Sequence, residues 1–580
     1  VCRPKTKTKT KTFCCLKNRR KMYSDRSLQK IHIESPVGSE ELCHDVSTEE
    51  QLKDVPEELL SGDPNRPLKY VDNSGNSYSY VLKPMSYCVF AILLLEGLER
   101  LSYYGISYTL TAYLKGTYDD EWNAGYDPVK AASLTQISTA IAYTAPFIGA
   151  IVADGFIGTY WTIVLFTGLV YIPGLLLAAL SAYPQGVSDT FPVLMVNIAF
   201  MAFYPLGAGA IKACVNVLGA NQFHAVLQSE QLSNYYVSFY MLINIGALAG
   251  GISLPIVCQM GGINVFYAYL VPVICLTLGL VLFVAFTKRY VLLKPQGSVI
   301  LQSVFAGASS LASCPPSLEK TKIENGGRFE SIFVEKVKIM GCLFPLMMYI
   351  VPFNIIYGQM LSVYIIQGSV MKSAAFIDAS WMQNFDALAV LIFGYLIGSV
   401  LYPALEKRGI HLHMMTKFSI GTFLGCCSMG SAIAVDYAMK SHYASTGEMI
   451  SVLWQAPAFM FVGAGEIFAI SSAYEAAYRL SPDGFKAFGS AINLFFIGGV
   501  ANYISTAILN GCSSFFVDNS GNDKLKTMGQ YYEATVVYYL WILFGLGILG
   551  GLICLAPFSK RFYSYVERKT EQVALASLDN

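Results

Sequence analysis

The stretch LLLEGLERLSYYG, residues 93–105, places Glu96, Glu99 and Arg100 inside a run of hydrocarbon side chains that begins upstream at Val89. At the centre of a bilayer each such charge costs at least ~2.5–3.5 kcal/mol, so the segment spans a membrane only if something offsets that cost. The three residues sit at i, i+3 and i+4 and share one helical face, and Tyr103 and Tyr104 extend the same stripe by a turn. Arg100 is partly neutralised by the two carboxylates, and the cluster as a whole stays acidic. Protonating one Glu decides whether Arg100 remains paired or is released, which is the chemistry of a proton relay. The competing reading is an ion-pair network that only orients the helix.

The rest of the chain supports a membrane class. Of 580 residues, 54% are hydrophobic and 14% charged, against roughly 25% charged in soluble proteins, and mean hydropathy is +0.46. A formal net charge of +1 gives no basic field for nucleic acid. The fourteen Cys stand mostly singly in apolar runs, as at Cys88, Cys214, Cys275 and Cys342. They read as small buried hydrophobes, without zinc spacing, and no cofactor is expected. Neither a Walker motif nor H-E-x-x-H nor G-x-S-x-G occurs, so an ATP-driven pump and an intramembrane enzyme are disfavoured.

Apolar runs of about 20 residues, enough to cross a bilayer, recur twelve times. They fall near 87–114, 129–153, 160–182, 191–217, 234–258, 265–287, 340–371, 380–404, 412–436, 451–479, 484–509 and 534–557. The expected fold is an all-α membrane protein of twelve transmembrane helices in two six-helix bundles. The bundles occupy 86–287 and 339–558. A polar linker (288–338) joins them, and polar tails (1–85, with the basic run KTKTKTKT, and 559–580) flank them. Lys288, Arg289, Lys294, Lys407, Arg408, Lys560 and Arg561 fall on loops of one parity, so both termini and the linker are expected in the cytoplasm.

Five blocks occur in an order that resembles one family. E-x-x-E-R followed by S-Y-Y-G is the first, and GAIVADGFIG (149–158) the second. GAGAIK (207–212) with GANQF (219–223), then FYMLINIG (239–246), follow. Gly465-Glu466 with YEAAY (474–478) is the last. Together they are similar to the signatures of the proton-dependent oligopeptide transporters (POT, or PTR) of the major facilitator superfamily, closer to the fungal and plant branches.

The resemblance implies roles. Glu96, Glu99 and Arg100 would couple proton movement to substrate, and Lys212 with Glu475 would form a pair joining the two halves. Arg100 and Lys212 would attract a peptide carboxylate, Glu475 and Asn244 its amine, and Tyr103, Tyr104 and Tyr143 would line the space between. Several positions depart from the bacterial and animal pattern. Gly358 stands where an acid is common, Ser107 in place of a second Arg, Gln136 in place of a His, and Asn221 and Thr159 replace charged residues. Asp386 replaces an Asn of the eighth span; it would serve the amine or the proton step, the alternative being a helix-end cap or salt bridge.

The expected activity is proton-coupled symport of di- and tripeptides by a monomer in the plasma membrane, with peptides, protons and the bilayer as partners. A nitrate or other small-anion transporter and a non-transporting peptide sensor are the alternatives.

Overall fold

The computed structural model describes residues 46–576 apart from 73–74, 225, 296, 313–316, 411 and 483; the KTKTKTKT run lies outside the described residues. Among the described residues, twelve long helices cross the molecule. They are α1 (Phe90–Lys115), α2 (128–157), α3 (158–181), α4 (Val193–Ala220), α5 (Ser229–Cys258) and α6 (Ile263–Ala285) in the first half. The second half holds α7 (Ser331–Gly368), α8 (Trp381–Leu405), α9 (Met414–Thr446), α10 (Val452–Leu480), α11 (Lys486–Gly511) and α12 (Val536–Leu555). All but α1 belong to stretches long and apolar enough to span a bilayer; the charges and hydroxyls of α1 dilute its hydropathy. Helices α2 and α3 run on as one apolar stretch, and the chain turns between them at Gly158, whose φ of +81° favours glycine.

Each half buries its own apolar core, one around Tyr171, Phe200, Tyr204 and Tyr269, the other around Phe353, Phe418, Phe459 and Tyr539. Small residues set the approach of α1 to α5. A Cβ on Gly246 would stand 2.4 Å from the Gly97 carbonyl oxygen, and one on Gly250 2.2 Å from that of Leu101. This four-residue spacing of glycines lets two backbones touch, as it commonly does in lipid. With that side of α1 fixed against α5, its charged stripe turns into the bundle.

The segments expected to be polar tails and linker contain more structure than their composition suggests. Strands β1 (Leu68–Val71) and β2 (Ser77–Tyr80) pair antiparallel, and the linker holds a helix, Val299–Ala312. Glu319 and Glu335 pair with Lys322 and Lys338 there, and hydrogen bonds from these lysines hold the Glu319 carboxyl down at about 2. Helix α7 begins at Ser331 rather than near 340, its first turns packing on the helix Pro557–Ala576 that occupies the expected C-terminal tail. Helix α9 runs to Thr446 rather than 436, because Asp436 is satisfied within the fold by the Tyr531 hydroxyl at 2.8 Å and by Lys440.

Candidate functional site

The α1 cluster is fully internal: Glu96 is 2% exposed, Glu99 1% and Arg100 3%. Arg100 Nε lies 3.1 Å from Glu96 Oε1, and its terminal nitrogen pairs with Glu99. The Tyr171 hydroxyl of α3 donates to Glu99 at 3.2 Å. Glu96 Oε2 has no hydrogen-bond partner among the described residues. A buried carboxylate oxygen without a donor is costly.

Lys212 of α4 stands above this cluster, in the field of Arg100, Glu99 and Glu96. Its ammonium sits 3.9 Å from the ring centroid of Tyr143 and 4.8 Å from that of Tyr103, while the Arg100 guanidinium lies 5.5 Å from the Tyr103 centroid. Each such cation–ring contact contributes ~0.5–2 kcal/mol. The tyrosines thus form a layer between the buried charges and a central cavity. Tyr103, Tyr104, Tyr108, Tyr143, Tyr357 and Asp386 line it. Tyr143 is wedged against α11, since a Cβ on Gly498 would stand 2.0 Å from its Cγ.

The opposite wall is acidic. Asp386, near the start of α8, abuts Gly463 of α10 so closely that a Cβ there would lie 2.8 Å from its Oδ1. Glu466, one turn beyond Gly463 on the same face, accepts from the Tyr357 hydroxyl and lies within electrostatic reach of Asp386.

Glu466 is the residue that the sequence reading left without a role, assigning the work of the tenth span to Glu475. The two are nine residues apart, which is half a revolution beyond two full turns, so they face opposite sides of α10. The expected Lys212–Glu475 pair is not made: Glu475 binds Lys417 of α9 at 3.1 Å and Arg479 at 3.0 Å. Asn244 is likewise turned to its own helix, donating to the Tyr240 carbonyl at 2.8 Å. The available signal for Glu466 was a lone carboxylate in the apolar run 456–473.

The uncharged substitutions also have places. Ser107 hydrogen-bonds the Tyr204 hydroxyl at 2.9 Å and borders the cavity. Gln136 donates to Ser362 Oγ of α7 at 3.0 Å and accepts from Thr506 of α11 at 3.1 Å. Gly358 begins a break in α7, where 3₁₀ turns at Gly358–Leu361 precede the last helical segment Val363–Gly368. An interrupted helix beside a central cavity is a recurrent feature of transporter binding sites.

The two halves are tied together on the face away from the linker. Lys115 donates to Ser369 at 2.6 Å, Tyr118 meets Ser380 at 2.7 Å, and Asn384 donates to the Gly251 carbonyl at 2.8 Å. Toward the linker face Tyr236 and Tyr240 of α5, in the field of Tyr478 and Glu466 of α10, stay about half exposed, while Phe147 of α2 packs on Phe488 and Phe495 of α11.

A polytopic helical membrane protein with a tyrosine-lined cavity between two halves, tied together on one face, is built as a transporter. The family profile PTR2, described as the POT family, matches residues 160–524, and the chain belongs to that family of membrane transporters. It is 28% identical over 552 residues to Protein NRT1/PTR family 8.2 of Arabidopsis thaliana, covering 83% of this chain and 94% of the relative. Over 443 residues it is 25% identical to the probable peptide transporter ptr2 of Schizosaccharomyces pombe, covering 70% of each. In fold it is similar to the crystal structure of the POT family transporter PepTSo, with a TM-score of 0.65 at 19% identity over 82% of this chain and 98% of that one.

Proposed function

We propose that this transporter imports di- and tripeptides together with protons, by alternating exposure of the central cavity. The observation that carries this reading is the cavity's polarity. The cations Arg100 and Lys212 lie behind the tyrosines on the α1–α4 side, and the carboxylates Asp386 and Glu466 stand on the α8–α10 side. A peptide, with a carboxylate at one end and an ammonium at the other, matches both poles. An anion such as nitrate matches only the first and is repelled by the second. In this assignment Glu96 and Glu99 take up the proton. Protonation releases Arg100 toward the substrate carboxylate, and Lys212 shares that carboxylate. Tyr103, Tyr104 and Tyr143 contact the body of the peptide. Glu475, held by Lys417 and Arg479, takes no part in the cavity in this conformation.

The proton gradient and membrane potential supply the work, at ~2.3 kcal/mol per charge per 100 mV. The loop charges support a cytoplasmic linker face, and in this reading the protein acts as a monomer at the plasma membrane. The test is uptake into proteoliposomes bearing an inward proton gradient, with labelled dipeptide and labelled nitrate compared. Gradient-stimulated dipeptide uptake is expected. Dipeptide uptake indifferent to the gradient, or uptake of nitrate alone, overturns the reading.

A further inference from the structure

Asp386 and Glu466 have no basic partner: neither makes an ion pair among the described residues, and the ionisable groups that face them are tyrosines. These are Tyr108 and Tyr104 from α1, Tyr143 from α2, Tyr240 from α5 and Tyr357 from α7, with Tyr474 on α10 itself. Asp386 is 6% exposed and lines the cavity, and its Oδ1 has no hydrogen-bond partner among the described residues. That oxygen is pressed toward α10 at Gly463, where any larger residue would push it away. Glu466 follows one turn later, with the Tyr357 hydroxyl as its donor. Two carboxylates held together in a site of low dielectric, without a cation, do not both ionise; they keep one proton between them.

We propose that Asp386 and Glu466 form a proton-binding site in the second half of the molecule, separate from the Glu96–Glu99–Arg100 cluster. The carboxylic acid of one donates a hydrogen bond to the carboxylate of the other, giving the pair a charge of −1. When α8 and α10 separate, or an ammonium group enters between them, the proton passes to water and two carboxylates remain. The shared proton also satisfies the orphaned Oδ1. It is a consequence of this chain's aspartate: an asparagine at 386 would donate its own N–H to Glu466 and leave no proton to share.

The site follows from the two carboxylates whatever the substrate, and only its use in coupling rests on the reading above. The test is infrared titration of the purified full-length protein, following the carboxylic C=O stretch in wild type minus variant difference spectra. In Asp386→Asn the midpoint assigned to Glu466 is expected to fall by about one pH unit or more, because the repelling charge is gone. Glu466→Gln should lower the Asp386 midpoint in the same way. Midpoints unmoved in both variants overturn the proposal. Uptake that ignores a proton gradient in the wild type overturns the functional reading instead, and leaves these midpoints to decide the pair.

Discussion

Glu96 and Glu99 share one arginine but differ in what else they hold. Glu99 has both Arg100 and the Tyr171 hydroxyl, whereas one oxygen of Glu96 has nothing. Removing the charge of Glu99 therefore leaves Arg100 with Glu96 as its sole carboxylate, while a glutamine's amide oxygen still accepts from Tyr171. In Glu99→Gln, gradient-driven dipeptide uptake is expected to fall by roughly 10²-fold, the scale at which a lost proton-transfer group is felt. Counterflow exchange, which needs no net proton movement, should persist. Driven uptake at the wild-type rate would take Glu99 off the proton path.

At the scale of elements, the β1–β2 hairpin is fastened to the loop between α4 and α5 by His224. The imidazole is fully buried, with Tyr70 and Tyr80 edge-on at 5.9 and 5.6 Å. Its Nδ1 accepts from the Leu227 amide at 3.1 Å, so Nε2 carries the hydrogen and donates to the Lys69 carbonyl at 3.1 Å. A second proton on Nδ1 would confront that amide donor. Burial lowers the His224 pKa from its ordinary 6.5, and the bond to Lys69 opposes this only in part. The folded value thus lies below the unfolded one. The docking energy is full above 6.5 and is lost as pH falls through the lowered value. Amide exchange of Leu68–Val71 and Ser77–Tyr80, corrected for intrinsic rates, is expected to accelerate between about pH 7.5 and about pH 5.5. In His224→Phe that pH dependence should disappear, and its persistence would assign the effect to another group.

The same hairpin marks where sequence reading stops. The twelve helices were legible because a bilayer requires about 20 apolar residues and a satisfied backbone at each crossing. The α1 cluster was legible because its spacing is local. His224 meets Lys69 across 155 residues of sequence, and no period in either segment announces the pairing. Glu466 is intermediate. Its charge in an apolar run was visible, but its distinction from Glu475 needed the packing of α8 on α10, through Gly463, to show which face of α10 meets Asp386.

For the whole molecule, the two halves are joined by polar bonds on the face away from the linker. Gln136 is central to the tie, since its amide bridges α2 to both α7 and α11, through Ser362 and Thr506. Lys115, Tyr118 and Asn384 add bonds around it, but each joins only one pair of elements. In the proposed cycle these bonds are the ones broken when the cavity turns to that face. Weakening them therefore shifts the equilibrium without touching the cavity. Two net hydrogen bonds amount to about 1–3 kcal/mol, a population shift of roughly 5- to 150-fold. Gln136→Ala is expected to move the ensemble toward opening on the far face by a factor in that range. The readout is the distance between spin labels at the outer ends of α2 and α11, measured in lipid. A distance distribution unchanged by the substitution would mean that the seal lies with the other bonds between the halves, and that Gln136 is a passive filler between them.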